Sequence, residues 1–440
     1  MPPANKGKLQ ARALIGVRSA THLSDPKATS THASDRSSRA ASYHRHSMEP
    51  TPAAPRVHLQ SPQTAVPTRA VEPGRTRRIA VASPPLPAAA LQRRTRVVLY
   101  YRADGASASA RLWEEAMWTK ESLSEAVADH PEMAGRLRRH ADGSWEVKLN
   151  DAGVRFTEAT AEPTLDEFLA AVQDKDHRAR SWEAALAPWS DVNAEDPDVS
   201  ALVYVQLTRF QGDGGFAVGV SCSLMLSDPL SLARFLASWA RTHATMKAQN
   251  DVATHPLMQY ASYFQRPGAR AVRALVKSIP LDAFASADDG GDDHAAETVL
   301  FRARPITSAG AGAPADHHHA LVVACVAQAK ERLGAAGKVP PQFPVVVFDD
   351  SDGKGGVSVE TCTAAYGQPQ SNGGCGGGGG GYKLEVTQWQ ELGLEELVLS
   401  DSKPLHVSYS ILNGGSDWLV VVMPDGGADG EVLVAATVLK

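Results

Sequence analysis

Residues 201–240 read ALVYVQLTRFQGDGGFAVGVSCSLMLSDPLSLARFLASWA and carry the clearest structural pattern in the chain. Apolar and polar residues alternate in ALVYVQLTRF, which predicts a strand, and the glycines of QGDGG predict a turn after it. The next segment, FAVGVSCSLML, is almost wholly apolar, as expected of a strand that is buried on both faces. A helix is predicted to begin at Asp228 or Pro229, because proline suits a first helical turn and apolar residues follow at helical spacing.

Strand and helix patterns precede this stretch. Residues 96–102, RVVLYYR, are predicted to form a strand, and residues 111–131 an amphipathic helix that ends at its proline. Residues 134–161 are expected to form a short antiparallel meander, because turn residues interrupt their apolar alternation. Thr164 is the predicted N-cap of the next helix, with Glu167 in the capping-box position.

A second half is predicted to follow a linker. Residues 250–295 are dominated by glycine, aspartate and alanine without a period, as expected of a linker. Beyond it, HALVVACVAQAKERLG predicts a helix with Gly334 as its C-cap. Strands are predicted at ETVLFRA, FPVVVFDD, GGVSVETCTAAY, HVSYSIL, WLVVVMP and EVLVAATVLK. HVSYSIL and WLVVVMP are expected to be joined through Asn413-Gly414-Gly415.

Composition limits the classes of function. The chain has 440 residues, 43% hydrophobic and 21% charged, which is enough for two domain-sized cores. A formal net charge of -5 and a pI near 6.3 provide no basic field, so no nucleic-acid partner is expected. No apolar run approaches the roughly 20 residues that a membrane-spanning helix needs, so no membrane span is expected.

The cysteines and the N-terminal residues bear on the cellular compartment in which the protein is found. Cys222, Cys325, Cys362 and Cys375 form no CxxC pair, which argues against a zinc site or a disulfide framework and favours a reducing compartment. Residues 1–55 are rich in Ala, Ser, Arg, His and Pro and are interpreted as disordered or as a transit peptide. Met48 opens a second plausible start, so a spurious extension of residues 1–47 is a further alternative.

The 201–240 stretch resembles the central signature of the plant BAHD acyltransferase superfamily, in which a buried strand delivers His-x-x-x-Asp-Gly to the start of a helix. That slot reads Leu224-Met225-Leu226-Ser227-Asp228-Pro229 here, so the aspartate is present and the histidine and glycine are replaced. The family's second signature, Asp-Phe-Gly-Trp-Gly ahead of Lys/Arg-Pro, corresponds to residues 398–404, VLSDSKP. Only Lys403 and Pro404 match it.

This resemblance covers most of residues 95–440 and implies an α/β (α+β) fold. Two similar chloramphenicol-acetyltransferase-like halves, with mixed sheets flanked by helices, would enclose a channel that Leu224 faces. The implied halves are residues 56–249 and 296–440. Acyl-CoA is the implied co-substrate or ligand, with no bound cofactor and no metal, and a monomer is expected.

The C-terminal text is most similar to the eceriferum/glossy branch of the superfamily. That branch implies an accessory role in very-long-chain fatty-acid elongation for cuticular wax. It further implies a ketoacyl-CoA synthase partner and a cytoplasmic location at the cytosolic face of the endoplasmic reticulum. Between FPVVVFDD and Tyr382, a glycine-rich run takes the place of the longer sequence that other members of the superfamily have. This difference suggests a less completely packed second half.

The replaced histidine bears on catalysis. Acyl transfer from a thioester needs a base within roughly 3 Å of the acceptor, and loss of a general base costs a factor of about 100 to 10,000. Leucine cannot transfer a proton, so no catalytic residue is assigned and an impaired, accessory protein is predicted. Two alternatives are an active acyl-CoA-dependent transferase acting on an alcohol or amine, and a decayed copy without function.

Other candidate bases and nucleophiles have simpler interpretations. Asp228 is interpreted as a helix cap that in the family pairs with a basic side chain. His243 lies about five helical turns past the slot, too far to replace the base. His406 is interpreted as a solvent-facing strand residue, and Cys222 and Ser223 as packing residues.

Three further patterns have residue types that occur in metal-binding or phosphate-binding sites. His317-His318-His319 is interpreted as a solvated run, because adjacent side chains at a helix start point in different directions. The glycines from Gly373 to Gly381 are followed by no Gly-Lys-Ser/Thr and therefore do not predict a phosphate site. The run from Asp349 to Gly353 is interpreted as a hairpin turn, because the final glutamate of a calcium loop is missing.

Overall fold

The structure is a computed structural model that describes residues 54–60, 62–102, 108–174, 178–212, 214–250, 277–284, 296–305, 314–335, 339–349, 356–363, 378–379, 382–399, 401–416, 418–425 and 430–439. The strands, in chain order, are β1 (Arg56–Leu59), β2 (Gln63–Ala65), β3 (Thr76–Val81), β4 (Arg94–Arg102), β5 (Arg136–Arg139), β6 (Trp145–Lys148), β7 (Val154–Ala161), β8 (Val203–Phe210), β9 (Gly215–Ser223), β10 (Lys277–Pro280), β11 (Ala296–Pro305), β12 (Gln342–Asp349), β13 (Gly356–Thr363), β14 (Gly378–Gly379), β15 (Tyr382–Thr387), β16 (His406–Leu412), β17 (Trp418–Pro424) and β18 (Val432–Leu439). The α-helices are α1 (Ala88–Leu91), α2 (Ala108–Asp129), α3 (Leu165–Gln173), α4 (Ala179–Leu186), α5 (Pro229–Asn250) and α6 (Pro314–Leu333).

The strands form two mixed sheets. The first sheet has 8 strands in the order β10-β1-β7-β8-β9-β4-β16, with β2 also paired to β7. β7 and β8 pair in parallel, and the other described strand pairs of this sheet are antiparallel. The second has 10 strands in the order β14-β15-β11-β18-β17-β12-β13-β3-β6-β5. Within it, β12 pairs in parallel with β17, and β13 with β3.

Helices cover the sheets and complete the core. Alternate residues of β4 point to opposite faces, so Val97 and Leu99 join the main core with α2, α5 and one face of the second sheet. Val98 and Tyr100 instead pack with α3 and α4 on the other face of the first sheet. Helix α6 covers the remaining face of the second sheet. The predicted α/β class, with mixed sheets flanked by helices, is confirmed.

Helix ends follow the predicted signals. The Thr164 side chain accepts a hydrogen bond from the amide of Glu167, whose carboxylate accepts one from the Thr164 amide, so the predicted capping box starts α3. Gly334 adopts a φ of +63° directly after α6, as predicted for its C-cap.

Gly219 lets α4 approach β9 closely. A Cβ atom there would overlap the main chain of Leu186 and come within 3.0 Å of the Cα of Ala187. The sheet and the end of α4 therefore meet backbone to backbone, and any larger residue would force them apart.

Two connections differ from the sequence prediction. β5 and β6 pair in the predicted antiparallel manner, but β7 leaves the meander and pairs in the first sheet, parallel to β8. The predicted junction of β16 and β17 is also different, since β16 pairs with β4 and β17 lies in the second sheet. Turn residues signal a change of direction, whereas the sheet that a strand joins depends on distant partners.

The two sheets exchange strands between distant parts of the chain. β16 joins the first sheet although it lies near the end of the chain, and β3, β5 and β6 join the second although they precede α3. Within the predicted linker, β10 pairs with β1 and so belongs to the first sheet. The predicted half boundaries at 249 and 296 stay a prediction, and residues 1–53 lie outside the described residues. β1 to β3 were not predicted from the sequence.

Candidate functional site

The slot lies in a tight turn between β9 and α5. The amides of Leu226 and Ser227 both donate to the carbonyl of Ser223, at 3.0 and 3.1 Å, which turns the chain into the helix. Ser223 also accepts a hydrogen bond on its Oγ from the amide of Met225 at 3.1 Å. The turn is thus fixed by local hydrogen bonds at the end of a buried strand.

Leu224 occupies the position of the expected histidine and is 0% exposed. Met225 and Leu226 are equally buried, and all three belong to the main core. Leu224, which the resemblance places facing a channel, is packed within the main core in this structure. Its apolar side chain gains by packing into the core, about 1.5 to 3 kcal/mol for a leucine that leaves water.

Asp228 begins α5. Its carboxylate accepts a hydrogen bond from the amide of Ser231 at 2.9 Å, and its carbonyl accepts one from the amide of Leu232 at 2.9 Å. Burial raises the pKa of Asp228, while the amide hydrogen bonds oppose that shift. This is the geometry of a helix N-cap, and Pro229 takes the first helical position, where no amide donor is needed.

Arg77 of β3 crosses from the second sheet to the slot. Its Nη2 donates to the carbonyl of Leu226. Burial lowers the pKa of Arg77, and the nearby charges of Glu132 and Asp228 oppose this change. A cation from the other sheet thus lies close to the Asp228 carboxylate, and no local pattern in the sequence indicates that Arg77 is this residue.

The end of β4 lies directly beside the slot. The amide of Leu224 donates to the carbonyl of Arg93 at 2.9 Å. This bond continues the antiparallel register of β9 and β4, in which Ser223 lies opposite Arg94, by one further residue. Leu224 and Arg93 are therefore neighbours across the two strands.

β16 brings Asn413 to the other side of Arg93. The register pairs Leu412 with Arg94, so Asn413 falls opposite Arg93 in the next row. Gly414 supports this placement, because a Cβ atom on it would lie 3.4 Å from the Arg93 amide nitrogen. Sequence analysis missed this row, since only the pairing of β16 with β4 creates it.

The histidines do not supply a base at the slot. His243 of α5 is buried, with Nδ1 at 3.0 Å from Ser122 Oγ and Nε2 at 2.8 Å from Glu115 Oε1. It holds α5 against α2 instead. His406 was expected to face solvent, but its ring is partly buried, 5.8 Å from the ring of Tyr100.

The candidate nucleophiles are packed side chains. Cys222 is fully buried, and burial raises the pKa of its thiol far above the usual value. Ser223 is equally buried and accepts the Met225 amide. A thiol held in its protonated form and a hydroxyl engaged by the main chain are poor nucleophiles.

The two signature remnants do not meet. Ser402 donates its hydroxyl to the carbonyl of Arg102 at 3.0 Å, and the amide of Leu405 donates to the carbonyl of Tyr100 at 2.7 Å. Lys403 and Pro404 thus lie at the far end of β4, roughly 30 Å from Leu224 at about 3.3 Å per strand residue. Lys403 forms an exposed ion pair with Glu396.

The other predicted patterns lie elsewhere. His319 Nδ1 is 3.2 Å from Cys362 Sγ, and no group of three or more possible metal ligands occurs among the described residues. β12 and β13 are antiparallel, as a hairpin after Asp349 requires, while residues 350–355 lie outside the described ranges. Most of the Gly373–Gly381 run is likewise outside them. None of the described helices is both long and apolar enough to span a bilayer.

Comparison with known proteins finds a family model that covers the slot. The Transferase family model matches residues 93–301. Protein ECERIFERUM 26-like of Arabidopsis thaliana is 34% identical over 156 residues, which are 34% of this chain and 35% of that protein. Agmatine hydroxycinnamoyltransferase 1 of Oryza sativa subsp. japonica is 36% identical over 144 residues, 32% of this chain and 28% of that protein.

The chain therefore matches about a third of the length of these curated relatives. Among solved structures, vinorine synthase is similar with a TM-score of 0.41 and 14% identity, covering 87% of this chain and 94% of that one. The matched residues include the two strands beside the slot, β4 and β9, and all of α5. Residues 93–301 thus match the Transferase family model, in agreement with the resemblance.

Proposed function

We propose that the protein is a catalytically impaired acyltransferase-like accessory factor that promotes very-long-chain fatty-acid elongation for cuticular wax. The observation that carries this proposal is the fully buried Leu224 at the position of the general base. A transferase without a base keeps only binding and any oxyanion donors, and forfeits a factor of about 100 to 10,000 in rate.

The surroundings of the slot support an impaired site. His243 is 2% exposed and bound to Glu115 and Ser122, so it is not available to an acceptor hydroxyl. Asp228 caps α5 and is bound to the Ser231 amide. Among the described residues at the slot, the cations Arg77 and Arg93 can donate hydrogen bonds but cannot accept a proton at neutral pH.

The partner and location come from the resemblance. The eceriferum/glossy branch implies a ketoacyl-CoA synthase as partner, at the cytosolic face of the endoplasmic reticulum, with acyl-CoA as ligand. The similarity to Protein ECERIFERUM 26-like supports this branch. In this account the protein acts as a monomer on the condensing enzyme and contributes no chemistry of its own.

Association is the first test. The full chain is mixed with a detergent-solubilised plant ketoacyl-CoA synthase, and complex formation is measured by size-exclusion chromatography with light scattering. A defined complex of the wild-type protein is expected, and the same complex from Leu224→Met, which conserves volume without adding a base. Absence of a complex with several synthases would remove the accessory role.

A second candidate is an active acyl-CoA-dependent transferase with an amine acceptor. It is favoured by the similarity to agmatine hydroxycinnamoyltransferase 1 of rice and to agmatine coumaroyltransferase-1 of Hordeum vulgare, which is 34% identical over 142 residues. Release of coenzyme A from p-coumaroyl-CoA in the presence of agmatine tests it. The accessory proposal predicts no release above the uncatalysed rate. Turnover by the wild-type protein would establish the transferase.

A further inference from the structure

Three buried polar side chains beside Leu224 have unused hydrogen-bonding atoms. Arg93 is 4% exposed, and its Nε and Nη1 have no hydrogen-bond partner within the described structure. The same holds for both amide atoms of Asn413, 7% exposed, and for the hydroxyl of Thr95, 1% exposed. A buried polar group without a partner costs about 1 to 3 kcal/mol, and a charged group costs more. Three such groups at one place form a polar cluster that an additional hydrogen-bonding group would satisfy.

The three groups share one face of the first sheet. Thr95 lies two residues along β4 from Arg93, so alternation projects both to the same side. Asn413 follows the β16–β4 register opposite Arg93, and directly opposed residues project to the same face. That face is the one that carries Val97 and Leu99 into the main core. The unused atoms therefore converge at the end of β4.

The charge of the cluster is positive, and within the described ranges no residue accepts a hydrogen bond from Nε or Nη1 of Arg93. Burial alone lowers the pKa of Arg93 to about 10. Arg136 shows the contrasting case, because its equally buried guanidinium donates to the carbonyls of Ala134, Gly135, Ala152 and Gly153. Arg93 is as buried as Arg136, but its Nε and Nη1 have no such acceptors among the described residues. An anionic acceptor would complete it.

The residues around the cluster are apolar, which indicates the chemical character of the rest of the ligand. Leu224 lies on one side of Arg93, and Ile411, next to Asn413 on that face of β16, belongs to the same apolar core. Leu91, two residues before Arg93 in the chain, belongs to the same core, as does Leu99 of β4. A small inorganic anion would leave these apolar surfaces unmatched, whereas a carboxylate on an apolar body would match both parts.

We propose that Arg93, Asn413 and Thr95 form a binding site for the carboxylate of an apolar carboxylic acid, next to the vacated base position. The unused guanidinium atoms Nε and Nη1 can each donate a charge-assisted hydrogen bond to a carboxylate oxygen, and the amide and hydroxyl can donate to the remaining lone pairs. The proposal uses only these unused groups and does not depend on an elongase partner.

The test is isothermal titration calorimetry of the purified full chain with octanoate. The control ligand is 1-octanol, which has the same apolar chain but no carboxylate. Binding of octanoate but not of 1-octanol is expected. Arg93→Met should weaken octanoate binding roughly tenfold to hundredfold, the range for a hydrogen-bonded charge. Asn413→Leu should weaken it by less, because it removes a neutral donor.

Arg94→Met is the matched control. Arg94 is equally buried but points to the opposite face of β4, with its guanidinium 5.3 Å from the centre of the Trp189 ring. Octanoate affinity should not change in this variant. Ligand-free Arg93→Met should be at least as stable as the wild type, because it removes an unpaired buried charge.

Several results would overturn the proposal. One is absence of octanoate binding to the wild-type protein, and another is equal octanoate affinity in Arg93→Met. Chloride or phosphate that raises the melting temperature as much as octanoate would show a site for any small anion. Unfolding of Arg93→Met would show that the guanidinium is structural.

Discussion

Asp228 offers a quantitative test of how the slot is built. Its carboxylate is 3% exposed and caps α5 through the Ser231 amide at 2.9 Å. Asp228→Asn keeps an oxygen that can accept this hydrogen bond and removes the buried charge, whereas Asp228→Ala removes both. The two substitutions therefore separate the cap from the charge.

The expected magnitudes follow from this geometry. Loss of an N-cap costs about 1 kcal/mol, within a range of about 0.5 to 2, so Asp228→Ala should be less stable than Asp228→Asn by that amount. Burial raises the pKa of Asp228 in the folded protein above its unfolded value near 4. The protonated carboxyl therefore favours folding at low pH, and this stability is lost as the pH rises through the folded pKa. Asp228→Asn should therefore gain stability relative to the wild type as the pH rises from about 4 through the folded pKa.

Urea denaturation at pH 5 and pH 8 measures both effects through the free energy of unfolding. Thr164→Ala serves as the control, because Thr164 caps α3 at an exposed site without a buried charge and should cost about 1 kcal/mol at either pH. A wild-type protein that stays more stable than Asp228→Asn by over 1 kcal/mol at pH 8 would refute this reasoning. It would mean that the ionised carboxylate is paired and favourable.

Three further substitutions test the packing around the site. Gly219→Ala should destabilise the protein by about 1 to 3 kcal/mol, because the added Cβ would overlap the last residue of α4. The melting temperature should fall, and an unchanged melting temperature would contradict the close approach of α4 to β9. His243→Leu should lower the free energy of unfolding in urea by about 2 to 3 kcal/mol, because the buried Glu115 carboxylate loses a hydrogen-bond donor. Octanoate affinity and fatty-acid elongation should not change in this variant. Arg136→Met should cost about 1 to 3 kcal/mol in urea denaturation, because it removes the buried donor of four carbonyls. Arg138→Met removes a partly exposed ion pair and should cost under about 1 kcal/mol, so equal losses in the two variants would contradict the structural role of Arg136.

Local signals in the sequence predicted the elements around the slot. Apolar content marked β9, proline at Pro229 marked the start of α5, and the spacing of Thr164 and Glu167 marked the start of α3. These features depend on neighbours within a few residues, which is why a single sequence contains them. The mixed α/β class followed from their order.

Pairings between distant strands could not be predicted in the same way. β16 lies about 300 residues after β4, and nothing local in HVSYSIL distinguishes pairing with β4 from a hairpin with β17. This pairing places Asn413 beside Arg93, so the cluster at the slot was missed. The burial of Leu224 was also missed, because an expected channel depends on how two sheets pack rather than on the slot's own residues.

The most direct test of the accessory role is the acyl-chain profile of yeast cells that co-express the full chain with a plant ketoacyl-CoA synthase. Wild type, Leu224→His and the volume-matched Leu224→Met are compared by gas chromatography of very-long-chain acyl groups and esters. The account predicts the same increase in chain length from all three proteins, without new esters. Unchanged chain lengths, together with esters or amides formed only by Leu224→His, would contradict it and indicate a transferase that has lost its base.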